Sequence, residues 1–307
     1  MIQLETPVAL IIFNNPEATQ RVFAAIAEVR PKRLFIIADA PRTNRHGEAE
    51  LCEQTKRIAT AVDWPCDVET DFASTNMGPG PRIISGINWV FSLVEEAIIL
   101  EHDCLPDPSF FPFCAEMLER YRENTQIGYI TGFNPLEEFF RFPFSYYFSQ
   151  AGNLWGWATW RRSWREYDEH LSAWPEVKKA GLLSLLLPNK RAVAWWTRTF
   201  DAMHEGTGPS TWDYQFVYTC WMRNNLCILP GKNLIEYIGF GAHAENTKTP
   251  EPDLTMQASQ IEFPLRHPPA ITPWPAHAAE MQDRFFGRSL KHRIRRKVIM
   301  KMSRPAK

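Results

Sequence analysis

Short, continuous apolar runs alternate with longer amphipathic segments between residues 8 and 131. The runs are rich in Val, Ile, Leu and Phe and are bounded by Pro, Asn or charged residues. Such runs are typical of strands buried on both faces of a sheet. We therefore predict five strands, at residues 8–13, 33–38, 67–70, 97–100 and 128–131.

The segments between these strands have the spacing of helices with one apolar face. Asn15 followed by Pro16 is typical of a helix start, with Asn15 as the N-cap. The predicted helices cover about residues 15–29, 46–61, 82–95 and 108–123. This alternation predicts an α/β fold with a Rossmann-like, mostly parallel sheet and helices on both of its faces.

The pattern changes after residue 135, where we predict aromatic loops and helices without repeats. We divide the chain at this and later changes in composition. The predicted regions are a ligand-binding half at 1–135, a second half at 136–250, a proline-rich extended segment with a helix at 251–287, and a basic amphipathic tail at 288–307.

Charge is unevenly distributed along the 307 residues. The chain has 34 Lys and Arg against 35 Asp and Glu, but residues 288–307 hold nine basic residues and no acidic one. The remainder therefore has 25 basic and 35 acidic residues and a charge of −10. An acidic body argues against a nucleic-acid-binding protein, and we predict no such partner.

The apolar runs are far shorter than the ~20 residues that cross a bilayer. The first residues lack the basic and apolar regions of a signal peptide. The six cysteines show neither CxxC nor structural-zinc spacing, so we expect reduced, mostly buried thiols. We therefore predict a globular cytoplasmic protein.

Polar side chains follow several of the predicted strands. Ligands of parallel sheets bind beyond the carboxyl ends of the strands, where this chain has Asn14, Asp39, Asn76 and the pair Glu101 and Asp103. The pair is spaced i, i+2 as a strand becomes a loop, so both carboxylates can face one cleft and offer hard oxygen ligands to Mg²⁺ or Mn²⁺. Solvated loop carboxylates are the alternative.

Two of the polar residues have competing explanations. Asp39 is placed to accept a hydrogen bond from a nucleotide base, such as the N–H of uracil, but a role in a turn has comparable support. Arg82 starts a helix after a Pro-Gly-Pro turn and is placed to pair with a diphosphate. A surface salt bridge is the alternative for Arg82.

More specific signals come from longer segments, of which Trp-Gly-Trp-Ala-Thr-Trp at 155–160 is the most specific. Together these segments resemble bacterial glycosyltransferases of the GT-A fold. That group is distantly similar to the N-acetylglucosaminyltransferase that initiates complex N-glycan branching. The matching segments, in order between residues 6 and 250, are 76–91, 95–111, 147–164, 211–215 and 238–241.

The resemblance implies a nucleotide-diphosphate-sugar donor, with a UDP-sugar favoured, and a Mn²⁺ or Mg²⁺ cofactor. The family motif is usually Glu-Asp-Asp, whose last Asp holds the metal and corresponds to Asp103. Glu101 would hold the ribose or support the metal. The middle residue of the motif is His102 in this chain, which departs from the family pattern, and we include it among the expected donor-binding residues. Related sequences carry a late His where this chain has Asn246. His243 is a substitute metal ligand or an ordinary loop histidine.

An inverting sugar transfer needs a carboxylate that takes the proton of the acceptor hydroxyl. Asp213 matches the family's late acidic residue and is our candidate base, although helix capping competes as an explanation. The resemblance places the acceptor in the second half of the chain. There we expect an acceptor or sugar pocket shaped by Trp155, Trp157, Trp160 and Trp212, with at least one of the first three in the core.

These observations predict a metal-dependent, inverting glycosyltransferase that extends a surface glycan of the polysaccharide or lipopolysaccharide type. The basic tail has apolar residues at i+4 spacing, which suits the anionic inner face of a membrane. A solubilising tail is the alternative.

Two other functions stay open. A sugar nucleotidylyltransferase would need a glycine-rich loop after the first strand, where this chain has Phe-Asn-Asn-Pro at 13–16. A catalytically impaired carbohydrate- or nucleotide-binding protein of the same fold is motivated by His102 and Asn246.

Overall fold

The computed structural model describes residues 3–140, 142–239 and 255–286. Within them the strands are β1 (Val8–Ile12), β2 (Arg33–Ala38), β3 (Asp67–Phe72), β4 (Glu96–Glu101), β5 (Cys104–Pro106), β6 (Ile127–Thr131), β7 (Tyr146–Ser149), β8 (Trp157–Trp160), β9 (Leu226–Pro230) and β10 (Ile235–Tyr237). The helices are α1 (Pro16–Val29), α2 (Glu48–Ala59), α3 (Pro79–Leu93), α4 (Phe110–Tyr121), α5 (Arg161–Trp164), α6 (Trp174–Lys179), α7 (Leu183–Leu186), α8 (Lys190–His204), α9 (Asp213–Met222) and α10 (Pro275–Met281), which a π-helical turn (Gln282–Phe286) follows.

Eight strands form one sheet in the order β3-β2-β1-β4-β8-β6-β9-β7. The β3-β2-β1-β4 segment is parallel, β8 runs antiparallel to both of its neighbours, and β7 is an antiparallel edge strand. β5 and β10 pair separately as a two-stranded antiparallel sheet. The predicted fold class is confirmed: an α/β arrangement with a mostly parallel, Rossmann-like sheet flanked by helices.

The five strands and four helices predicted for the first half are all present, with ends shifted by a few residues. Asn15 caps α1 as predicted, since its Oδ1 accepts a hydrogen bond from the backbone N–H of Ala18 at 3.1 Å. The helix predicted at 82–95 begins three residues earlier, because Pro79 occupies its first turn.

The prediction of loops and helices alone for residues 136–250 is wrong, because β7, β8, β9 and β10 lie there. β8 is only four residues long and lies between two other strands, so its side chains alternate between two buried faces. Trp157 packs in the core on one face of the sheet and Trp160 in the core on the other. Both are at most 2% exposed.

Close packing brings α3 against the sheet. A β-carbon built at Gly86 would lie 2.6 Å from Cγ2 of Ile37 in β2, a separation that no side chain tolerates. On the other face of the sheet, Ile261 and Leu265 join the core. No helix in the described ranges has the length and apolar character needed to cross a bilayer.

The buried carboxylate of Glu48 connects the loops that follow β1 and β2 through hydrogen bonds. Glu48, at the start of α2, accepts hydrogen bonds from the Arg42 backbone N–H at 2.8 Å and from Asn14 Nδ2 at 2.9 Å. The Arg42 guanidinium also pairs with Glu48. The hydrogen bonds and charge of Arg42 lower the pKa of Glu48 to about 2, despite the opposing effect of burial.

We expect Glu48→Gln to lose about 3 kcal/mol of unfolding free energy at pH 7. The folded-state pKa lies below the ordinary value of 4.5. The stabilisation is therefore complete above pH ~4.5 and declines as the pH falls towards 2. Urea unfolding at pH 7 and pH 3 should show the difference between variant and wild type shrinking at the lower pH. Glu53→Gln on the exposed face of α2 is the control, and an unchanged difference across this range would contradict the prediction.

Candidate active site

The acidic pair lies where β4 leaves the sheet. Glu101 is the last residue of β4, and the backbone N–H of His102 donates to the carbonyl of Ile11 in β1 at 2.8 Å. The carbonyl of Asp103 accepts from the N–H of Ile238 at 2.8 Å, beside the β5–β10 pair. Neighbouring strands therefore fix the backbone on both sides of the pair.

A first cavity, of about 160 Å³, opens at this edge of the sheet. Six of the seven residues predicted for donor binding or metal binding in the first half of the chain line it. They are Asp39, Asn76, Arg82, Glu101, His102 and Asp103. The convergence follows from parallel strands, whose carboxyl ends meet at one edge.

Asn14 is the exception among these predicted residues. It is 6% exposed, and its amide donates to Glu48 rather than lining the cavity. Its neighbours Phe13 and Asn15 line the cavity instead, as does Arg42, whose guanidinium lies 5.3 Å from the centre of the Phe13 ring. Sequence reasoning missed both Phe13 and Arg42 as site residues. Phe13 was predicted as the last residue of the first strand, whereas β1 ends at Ile12. Arg42 follows the second predicted strand.

The Asp39 carboxylate is occupied by groups of the protein itself. It accepts hydrogen bonds from the backbone N–H groups of Ala40, Met77 and Gly78, each at 2.9 Å, and from Asn76 Nδ2 at 3.0 Å. These bonds fasten the loop between β3 and α3. This geometry favours the turn role of Asp39 over recognition of a base.

Arg82 is likewise held by the protein. It is 4% exposed, and its guanidinium donates to the carbonyl of Ala38 at 3.1 Å, to Ser85 Oγ at 2.7 Å and to the Asp71 carboxylate at 2.7 Å. Arg82 thus forms a salt bridge with Asp71, which was the alternative to pairing with a diphosphate. The salt bridge differs from that prediction in one respect, because Arg82 is buried and does not lie on the surface. It joins the ends of β2 and β3 beneath the first cavity.

The start of α3 offers few donors to an anion. Pro79 and Pro81 have no N–H, and the N–H of Gly80 donates to Ser210 Oγ at 3.2 Å. The N–H of Gly78 is bound to Asp39. The helix therefore contributes its dipole at this point rather than a set of open amides.

A second, larger cavity of about 520 Å³ adjoins the first. Both cavities are lined by Glu101, Asp103, Tyr237, Pro79 and Ile83. The acidic pair therefore stands at the junction of the two cavities. Seven aromatic side chains line the second cavity: Trp155, Trp196, Trp212, Tyr214, Tyr237, Phe285 and Phe286.

The four tryptophans predicted for the sugar pocket divide into two groups. Trp155 and Trp212 line the second cavity, whereas the core residues Trp157 and Trp160 do not. Trp155 stacks on Tyr237 with ring centres 4.5 Å apart. Trp157 supports the pocket from below, because it stacks on Trp212 at 5.1 Å.

Asp213, the first residue of α9, also lines the second cavity. Its Oδ1 accepts hydrogen bonds from Thr211 Oγ1 at 2.5 Å and from the N–H of Tyr214 at 3.0 Å. Burial raises the pKa of the Asp213 carboxyl above its ordinary value, while the bond from Thr211 opposes the rise. The carboxylate is therefore held through Oδ1 at the edge of the second cavity.

Three acidic side chains thus lie at or beside the junction of the two cavities, with Glu101 and Asp103 lining both cavities and Asp213 lining the second. Burial raises the pKa of Glu101 to about 8, with further contributions from the charges of Asp103 and Asp213. Within the described ranges, no Lys or Arg forms an ion pair with any of the three. The site groups acidic side chains whose ionised forms a cation would stabilise.

Space beside Asp103 is limited. A β-carbon at Gly239 would overlap the Asp103 carboxylate and lie 2.5 Å from the hydroxyl of Tyr237. No group of three His, Cys, Asp or Glu side chains in the described part of the chain is arranged to hold a metal. His243 and Asn246 lie outside the described residues.

No family model and no curated protein matches this chain. Among solved structures, a mannosyltransferase from Pyrobaculum calidifontis in complex with GDP-Man and Mn²⁺ is similar at 11% identity and a TM-score of 0.35. That match covers 53% of this chain and only 46% of the mannosyltransferase. A UDP-glucose pyrophosphorylase complexed with UDP-glucose is similar at 10% identity and a TM-score of 0.35, over 74% and 90% of the two chains. Both similarities are too low to bear on function.

We expect Asp39→Asn to destabilise the protein by about 2 kcal/mol. The substitution replaces one carboxylate oxygen by an NH2 group, which cannot accept the hydrogen bonds that the N–H groups of Met77 and Gly78 donate. Urea unfolding at pH 7 measures the loss. Asp63→Asn, at an exposed loop position, is the matched control. Equal stability of the two variants would contradict the role of Asp39 in fastening the loop.

Proposed function

We propose that this protein is a metal-dependent, inverting glycosyltransferase that moves a sugar from a nucleotide-diphosphate donor to a glycan acceptor. One observation carries the proposal. Glu101 and Asp103 stand at the junction of two cavities, and Asp213 faces the second of them. A donor in the first cavity and an acceptor in the second would meet beside these carboxylates.

The charge balance of the first cavity supports a divalent cation. A bound diphosphate would add negative charge to Glu101 and Asp103, and the nearby Arg82 and Arg42 are already paired with Asp71 and Glu48. Hard carboxylate oxygens suit Mn²⁺ or Mg²⁺, so the donor set fits this cofactor. When bound, the metal would neutralise the charge that develops on the leaving diphosphate.

Asp103 would hold the cation, and Glu101 would support it or bind the ribose. The diphosphate would supply further oxygen ligands. His102 lines the same cavity and belongs to the proposed donor site. A ligand role for His243 remains part of the proposal.

Asp213 would act as the base. Its Oδ1 is held by Thr211 and Tyr214, which aligns Oδ2 for the hydroxyl of an acceptor. As that hydroxyl oxygen bonds to the anomeric carbon, its proton passes to Asp213 and the bond to the diphosphate breaks on the opposite face. The configuration at the anomeric carbon is thereby inverted. The raised pKa makes Asp213 a stronger base than an exposed Asp.

The aromatic lining of the second cavity supports a carbohydrate acceptor, because aromatic faces pack against the C–H face of a sugar ring. The Trp155–Tyr237 stack and Trp212 are the candidate platforms. We propose a growing surface glycan as the acceptor and the cytoplasmic side of an anionic membrane as the location. A UDP-sugar remains the favoured donor.

The two alternative functions have less support. α1 begins directly after β1 at Pro16, which leaves no room for the glycine-rich loop of a nucleotidylyltransferase. An impaired protein would be expected to lose its catalytic carboxylates, whereas Asp103 and Asp213 both line the cavities.

We expect one of UDP and GDP to bind in the presence of Mn²⁺, with at least tenfold weaker binding in EDTA and in Asp103→Asn, because the cation compensates the charge of the diphosphate. Isothermal titration measures both effects. Asp63→Asn should bind as the wild type does. Binding of neither nucleotide under any condition would overturn the donor site.

For Asp213→Asn we expect kcat for sugar transfer to fall by about 10²- to 10⁴-fold, with nucleotide affinity unchanged. Because the pKa of Asp213 is raised, the acid limb of the kcat–pH profile should lie above pH 3.8, with activity lost as the pH falls through it. Thr211→Val removes a hydrogen bond that favours the charged form and should move this limb to higher pH. An unmoved limb would contradict the role of Asp213 as base.

A further inference from the structure

Two separate groups of aromatic side chains border the second cavity. Trp155 stacks on Tyr237, which also lines the first cavity, so this pair lies at the junction. Trp196, Tyr214 and Phe286 line the second cavity and not the first. We call these three side chains the distal aromatic group. Trp155 packs on the core that contains β1 and β4, whereas the distal aromatic group belongs to the core around α8.

The distal aromatic group is preformed. The ring centre of Trp196 lies 5.8 Å from that of Tyr214 and 4.8 Å from that of Phe286. The Nε1–H of Trp196 donates to Oε1 of the buried Gln282 at 2.7 Å, which fixes the π-helical turn on α8. Trp196 is itself buried, whereas Tyr214 and Phe286 are half-buried and keep part of their surface accessible. A ligand would therefore meet aromatic rings that are already ordered.

Asp213 lies on the segment that leads from the junction to the distal aromatic group. Ser210, at one end of this segment, accepts a hydrogen bond from the N–H of Gly80 at 3.2 Å, beside Pro79, which lines both cavities. Tyr214, at the other end, is a member of the distal aromatic group. All residues from 210 to 214 line the second cavity. A sugar whose hydroxyl reaches Asp213 would therefore leave the distal aromatic group to the next unit of the same acceptor.

We propose that the distal aromatic group binds a second sugar unit, so that the acceptor is a glycan of at least two units. This inference rests on the proposed function and narrows its acceptor. Aromatic faces pack against the C–H face of a sugar ring, and the hydroxyl of Tyr214 can exchange a hydrogen bond with a sugar hydroxyl. The volume of about 520 Å³ is in the range of pockets that enclose drug-sized ligands, which are larger than one hexose.

The polar lining of the second cavity favours a sugar over an acyl chain in this place. Asn153, Ser210 and Thr211 line the same cavity. The hydroxyl groups of a sugar can form hydrogen bonds with these side chains. An acyl chain would remove water from them without replacing the hydrogen bonds, which costs free energy.

Sugar transfer to acceptors of two lengths tests the proposal. The probes are the methyl glycosides of glucose, galactose, mannose and N-acetylglucosamine, and the methyl disaccharides that carry each of these sugars at the non-reducing end of a glucose. For the sugar that accepts transfer, KM for the disaccharide should be at least tenfold lower than KM for the monosaccharide. Phe286→Ala should reduce this ratio to about one, because one aromatic face of the distal group is removed.

Phe286→Tyr retains the aromatic face and should keep the ratio of the wild type. Phe72→Ala is the matched control, because Phe72 is 38% exposed at the end of β3 and lines neither cavity. It should also keep the ratio. Since the ratio compares two acceptors on the same preparation, a loss of folded protein does not change it.

A ratio of one in the wild type, an unchanged ratio in Phe286→Ala, or an equal loss in Phe72→Ala would overturn the second subsite. Monosaccharide transfer would persist in each of these cases, so the proposed function would stand. Absence of transfer to every glycoside, despite nucleotide binding, would overturn the proposed function and this inference with it.

Discussion

Repulsion between buried carboxylates is the constraint on which this site depends. Glu101, Asp103 and Asp213 come from three separate elements, a strand end, the turn that follows it and the start of a helix. Burial raises the pKa of Glu101, and the charges of Asp103 and Asp213 raise it further. Such an arrangement persists only where the surrounding structure is rigid. The sheet, the β5–β10 pair and the stacked Trp157 and Trp212 supply that rigidity.

The first cavity was predictable from the sequence to a large extent. Parallel strands bring their carboxyl ends to one edge, so residues that follow β2, β3 and β4 had to converge. The sequence could not show which of them bind ligand and which bind the protein. Asp39 is committed to the amides of Met77 and Gly78, and Asn14 to Glu48, because of how the loops return. Loop geometry of this kind leaves no periodic signal.

The surroundings of the second cavity were predicted less well. Its strands are short, and β8 is buried on both faces, so alternation of polar and apolar residues is absent there. The Trp-rich segment was recognised as distinctive, but its four-residue strand separates Trp155, which lines the cavity, from Trp157 and Trp160, which fill the core. The three tryptophans therefore have different roles, because Trp155 precedes β8 whereas Trp157 and Trp160 lie within it. That difference is visible only in three dimensions.

The insertion of β8 between β4 and β6 also affects how the chain can fold. β4 is complete early in the sequence, but the partner for its second edge arrives only after α4, β6 and β7 have been synthesised. Until then the apolar edge at Ala97, Ile98 and Ile99 has no strand beside it, and exposed apolar edges favour intermolecular pairing. During translation this edge is where a nascent chain would need protection, and closure of the sheet by β8 is the event that ends the exposure.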